Sequence, residues 1–135
     1  MTIDDDAFVG LDNLKDLRLN DNNLTEIKGI WFRDMRSLKK LSIEGNPFVH
    51  LPSSSFDTLP RPIKVSVSYF EEPSVLQCTG LCWLKGEEEN KTITWFSDWK
   101  KPKCSKGIKW DNLTCRKCLF QSSFVDQGSK QNRDL

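Results

Sequence analysis

Residues 14–24 read LKDLRLNDNNL. Leu14, Leu17, Leu19 and Leu24 stand at steps of three, two and five, with Asn22 inside the last step. An amphipathic helix spaces its apolar residues at three and four, and a strand spaces them at two. Neither period fits the whole stretch, so its order must come from outside it.

That order appears when the chain is slid along itself by 24 residues. Leu14, Leu17, Leu19 and Asn22 fall on Leu38, Leu41, Ile43 and Asn46, while Leu24 and Ile27 fall on Phe48 and Leu51. Phe8, Phe32 and Phe56 keep the same interval, as do Leu11, Met35 and Leu59, and Ile3, Ile27 and Leu51. One further step brings Val65 and Val67 to the places of Leu41 and Ile43. Self-similarity at such a period marks a stacked repeat architecture.

The uneven spacing then has a physical reading. Leu17 and Leu19 flank Arg18 as the inward residues of a short strand. Leu14, Leu24 and Ile27 enter the same core from the adjoining turns, and Phe32 fills the space where the chain arcs back. One repeat cannot bury these residues alone. Stacked repeats can, with their strands forming a parallel sheet on a concave side. Asn22 and Asn46 stand where the chain turns after each strand, where an amide can bond backbone groups that the turn leaves unpaired.

The pattern L-x-x-L-x-L-x-x-N-x-L-x-x-I at 14–27, and its copy at 38–51 with Ile43, Phe48 and Leu51, resembles the extracellular type of leucine-rich repeat. The resemblance covers residues 3–70. It implies an α/β class: a solenoid fragment with short parallel concave strands over 1–70. It also implies that the outward concave residues recognise a protein. In register these are Asp16, Lys40 and Lys64; Arg18, Ser42 and Ser66; and Asn20, Glu44 and Ser68. Their mixed charge and lack of an aromatic anchor predict a polar, electrostatically tuned contact.

Composition bounds the rest. At 37% hydrophobic, 29% charged and a net charge of +1, the chain offers no overall bait for nucleic acid or membrane. The charge is unevenly spread. Asp4, Asp5, Asp6, Asp12, Asp16, Asp21 and Glu26 oppose only Lys15 and Arg18, whereas the stretch from Lys28 to Lys64 is basic. MTIDDDAF lacks the basic start and apolar run of a signal peptide, yet Ile3 and Phe8 are already in register. Arrays of this kind need about three repeats and terminal caps. The sequence therefore reads as the C-terminal part of a longer protein, or a truncated form of one. No stretch approaches the ~18 apolar residues of a membrane helix.

After EEPS at 71–74 the composition changes. All five cysteines (78, 82, 104, 115 and 118) and Trp83, Trp95, Trp99 and Trp110 follow it. The end of a repeat array exposes apolar surface and needs a lid. Leu81, Trp83 and Leu84 with Cys82 predict a short helix or turn lying on that surface. The segment 71–118 resembles the cysteine-bearing C-terminal cap of extracellular leucine-rich repeat proteins, which implies a small disulfide-bonded α+β unit. First-to-third and second-to-fourth pairing, carried over, implies Cys78–Cys104 and Cys82–Cys115. The C-x-x-x-C spacing and the extra Cys118 depart from the family, so Cys118 can replace Cys115 or bridge to a partner chain. Each bridge, closing roughly 25–35 residues, would stabilise by about 3–4 kcal/mol. The alternative use of C-x-x-x-C and C-x-x-C is a zinc site in an intracellular regulator.

Three sequons favour the extracellular setting: Asn23-Leu24-Thr25, Asn90-Lys91-Thr92 and Asn112-Leu113-Thr114. Asn23 is expected to point outward, and Asn90 to follow an exposed GEEE loop. Asn112, between Trp110 and Cys115, is the one placed for burial. KTITWF alternates as a strand with Ile93 and Trp95 on one face. Trp99 beside KKPK reads as a tryptophan packed on the cap among solvated lysines, in preference to a polyanion contact. The polar segment 119–135 reads as a tail. No nucleophile, acid–base pair or phosphate-binding loop surrounds His50, the single histidine, and the DDD and EEE runs read as solvated surface. The resulting expectation is a non-enzymatic extracellular protein-binding module without cofactor. A structural or non-catalytic subunit of a secreted complex is the alternative. The repeat and the Trp/Cys-rich end are similar to secreted arthropod proteins, including the non-catalytic subunit of a crustacean luciferase.

Overall fold

The computed structural model describes residues 2–67 and 75–115. Four short strands form one parallel sheet in chain order: β1 (Asp16–Arg18), β2 (Lys40–Ser42), β3 (Ile63–Ser66) and β4 (Ile93–Trp95). The register follows the 24-residue repeat, with Leu17 opposite Leu41 and Leu41 opposite Val65. Each inward residue meets its counterpart on the next strand, so the repeats bury one another.

The back of each repeat is a 3-10 turn, at Gly29–Phe32 and Ser53–Phe56, whose final phenylalanine is fully buried. Met35, Leu38, Ile43, Phe48, Leu51 and Leu59 join them. Leu11, in register with Met35 and Leu59, is 38% exposed. Its counterparts Met35 and Leu59 are buried.

The asparagine positions act as the turn argument requires. Asn46 donates from Nδ2 to the carbonyls of Ile43 and Leu19, and its Oδ1 accepts from the Leu24 N–H at 3.0 Å. Asn22 donates to Leu19 and Asn20 within its own repeat. Side chains cross-link the back as well: Ser55 Oγ donates to the Ile27 carbonyl, and Thr58 Oγ1 to that of Gly29. The acidic start meets the basic stretch in exposed pairs, Asp5–Lys28, Asp6–Arg33 and Asp12–Arg36.

The C-terminal half shares this core. Helix α1 (Cys82–Glu89) buries Leu84, with Leu81 just before it. Trp83 packs edge-on against Phe56 at 5.3 Å and donates to the Leu51 carbonyl. The run 86–89, expected as an exposed loop, is the second half of α1. Glutamate is a good helix former, and two of these carboxylates have partners. Glu87 binds Arg61 and Thr92. Glu88 accepts the indole N–H of both Trp95 and Trp110, whose rings meet edge-on at 5.8 Å.

Cys78 and Cys104 form a disulfide, with Cα atoms 5.2 Å apart, beside a parallel bridge between Leu76 and Cys104. The expected Cys82–Cys115 bridge is not made. Cys82 instead opens α1 and directs its thiol at the Thr79 carbonyl, 3.8 Å away. Cys118, the expected substitute or inter-chain cysteine, lies outside the described residues, as does the expected tail at 119–135. Among the described residues, no helix is long and apolar enough to cross a membrane.

Candidate protein-binding face

Strand register sorts the outward residues of the sheet into two rows. The first is Asp16, Lys40, Lys64 and Thr94. The second is Arg18, Ser42 and Ser66, continued by Phe96, which follows the Val65–Trp95 pair. Beside β4, the Phe96 N–H donates to the Val65 carbonyl, as parallel pairing requires. The next bond breaks the pattern: the Val67 N–H donates to the carbonyl of Lys100, not to that of Phe96. The chain thus leaves the sheet at Ser97, makes the 3-10 turn Asp98–Lys100, and returns.

This excursion alters the expected face. Lys40, Lys64 and Arg18 are exposed, and Asp16 and Asn20 are half-buried. Ser42, Glu44 and Ser66, expected on the open concave surface, are buried. A serine hydroxyl stands close to the sheet while its lysine and arginine neighbours reach beyond it. The Glu44 carboxylate meets the Lys100 ammonium at 3.5 Å, under the returning segment. Ser66 Oγ and Glu44 Oε1 are buried with no hydrogen-bond partner among the described residues. Ser68 lies outside the described residues. Arg18 pairs with Asp16 at 3.3 Å, and Asn20 donates to Asp21.

Trp99 is 58% exposed, so it is not the packed tryptophan that its sequence setting predicts. Nor are the lysines beside it simply solvated. Lys100 holds Glu44, and Lys101 holds Asp111 at 3.1 Å. Thr94 and Phe96 are thus part of the face that sequence reasoning missed. The alternation in KTITWF puts Thr94 and Phe96 opposite Ile93 and Trp95, but nothing in it says which strand they join.

Asn23, Asn90 and Asn112 are all exposed, Asn112 included. His50 lies on an open groove of about 760 Å³ on the back of the repeats, with Glu26, Lys28, Asp57 and Thr58. Among the described residues, no group of three or more His, Cys, Asp and Glu side chains converges as a metal site. Cys78 of the zinc alternative is held in the disulfide.

The carboxyl of Glu87 has a perturbed pKa. Burial pushes it up, but hydrogen bonds from Arg61 and Thr92 and the Arg61 charge outweigh burial and hold it below its ordinary value. The effect fixes α1 to the Pro60–Pro62 turn and lies away from the two rows.

A leucine-rich repeat is found at residues 2–48. The match ends before β3 and spans less than half of the 135 residues. No solved structure matches the chain. Leucine-rich repeats are in general non-enzymatic modules of protein–protein interaction, and the matched part contributes β1, β2 and the open ends of both rows.

Proposed function

We propose that this chain is a non-enzymatic, extracellular protein-binding module that recognises its partner through the outward rows of the sheet. The observation that carries the reading is the alignment of exposed polar side chains on a parallel sheet, Arg18, Lys40 and Lys64, within and just beyond the leucine-rich repeat. Such a surface costs no core packing and suits an electrostatically selected partner. The extracellular setting is supported by the Cys78–Cys104 disulfide and by three exposed sequons, since disulfides persist in oxidising compartments. Residues 71–118 act in this reading as a cap on the repeats.

The test is capture of partners by secreted protein, comparing the native chain with Arg18→Glu plus Lys40→Glu. Loss of the captured partner supports the face, and unchanged capture rejects it. Secretion with glycan on Asn23, Asn90 and Asn112 supports the compartment. Unglycosylated protein retained in the cell rejects it.

The burial of Ser42, Glu44 and Ser66 favours a second reading, a structural or non-catalytic subunit of a secreted complex. Under that reading the double charge reversal leaves complex assembly intact. An inter-chain disulfide through Cys118, seen on a non-reducing gel, belongs to the same reading.

A further inference from the structure

Lys40 and Lys64 stand directly opposite each other on neighbouring strands. Like charges so placed disfavour a sheet. Lys28, Arg33, Arg36, Arg61, Lys85, Lys100 and Lys101 have carboxylate partners, whereas Lys15, Lys39, Lys91 and Lys109 have none among the described residues. Lys40 and Lys64 make no ion pair among the described residues, and both are exposed. No carboxylate among the described residues offsets this pair.

The adjoining row adds a different chemistry. Phe96 is 37% exposed at the end of the line through Ser42 and Ser66, and Trp99 stands on the excursion beyond it. The sheet therefore presents two cations without an ion-pair partner among the described residues and, beside them, an exposed aromatic edge. Each feature is unfavourable in isolation, and together they are complementary to one ligand type.

We propose that Lys40, Lys64 and Phe96 dock an extended acidic peptide segment of the partner, whose carboxylates pair with the lysines and whose apolar side chain lies on Phe96. The proposal rests on the concave-face reading above and names the partner's chemistry. A sulfated polysaccharide would satisfy the lysines but brings no apolar side chain to Phe96, and so is the less complementary ligand.

The experiment uses the intact chain and a fluorescein-labelled peptide of alternating glutamate and leucine, followed by fluorescence anisotropy. Heparin and a peptide of alternating lysine and leucine are run beside it. Binding of the acidic peptide should weaken with salt. Lys40→Glu plus Lys64→Glu should weaken it by at least about tenfold. Phe96→Ala should weaken it by about fivefold. Lys109→Glu, outside both rows, should leave it unchanged, and circular dichroism should show each variant folded. Equal affinity in the double variant overturns the site. Lysine-dependent binding of heparin alone overturns the peptide but keeps the face. Binding of the basic peptide alone, lost on Asp16→Lys, overturns the acidic partner and also keeps the face. If no probe responds to any substitution on the two rows, the docking site and the concave-face reading fall together.

Discussion

Asn46 bonds two repeats at once, because its amide donates to Ile43 in its own repeat and to Leu19 in the preceding one. Asn22 occupies the same register position but serves only its own repeat, and it is exposed. Identical residues should therefore differ in worth. Asn46→Ala leaves partly buried backbone groups unpaired and should cost about 1–3 kcal/mol, against about 0.5–1.5 kcal/mol for Asn22→Ala. Urea unfolding of both variants checks this, and equal losses would refute the inter-repeat role. Glu87 gives a pH-dependent counterpart. Its folded pKa lies below the unfolded value. Its contribution is thus fully present above the ordinary carboxylate range and is lost as pH falls through the depressed folded value. Glu87→Gln should destabilise the protein near neutral pH, and the gap to the native chain should close on acidification. A gap that widens toward low pH would reverse the sign and remove Arg61 as the cause.

Two glycines separate the demands of the elements. A Cβ on Gly29 would sit 2.5 Å from the Ser54 carbonyl oxygen, because consecutive 3-10 turns pack backbone to backbone there. A Cβ on Gly86, within α1, would meet nothing within 4 Å. Gly29→Ala should lower stability by about 1–3 kcal/mol through forced separation of the turns. Gly86→Ala should raise it by about 0.5–1 kcal/mol through helix propensity. Opposite shifts in the thermal midpoint are the expected result, and a neutral Gly29→Ala would mean that the turns separate freely. The elements also show what could be read beforehand. β1, β2 and β3 follow from the 24-residue interval, and with them the placing of Lys40 and Lys64. β4 does not, since Ile63 faces Ile93 and breaks that interval. The burial of Glu44 and Ser66 depends on a chain that leaves the sheet at Ser97 and returns at Lys100. No local period carries such information. α1 was legible in Leu81, Trp83 and Leu84, but its extension through Glu89 rests on Arg61, Trp95 and Trp110, all distant in sequence. The Cys82–Cys115 pairing failed as an expectation because it came from a family pattern from which this chain's cysteine spacing departs, while the alternative through Cys118 lies outside the described residues.

At the scale of the molecule, one buried cluster runs from Leu17 through Phe56 to Ile93 and Trp110. Residues before and after the composition change at 71–74 both contribute to it. Phe56 is where the two halves meet: it ends a repeat turn, is fully buried, and supports Trp83 of α1. A shared core makes unfolding cooperative, because neither half keeps its apolar surface covered without the other. Phe56→Ala should cost about 3–5 kcal/mol, the ordinary range for emptying such a site. The loss should appear equally in far-ultraviolet circular dichroism, which reports the whole backbone, and in tryptophan fluorescence, which is weighted toward the C-terminal half by Trp83, Trp95, Trp99 and Trp110. Reduction of Cys78–Cys104 should act in the same way, lowering stability by about 2–4 kcal/mol without separating the two signals. If Phe56→Ala shifted the fluorescence transition and left the dichroism transition in place, the halves would be folding units of their own. The continuous core would then be a contact between them, and Phe96 would reach the lysine row only when that contact is made.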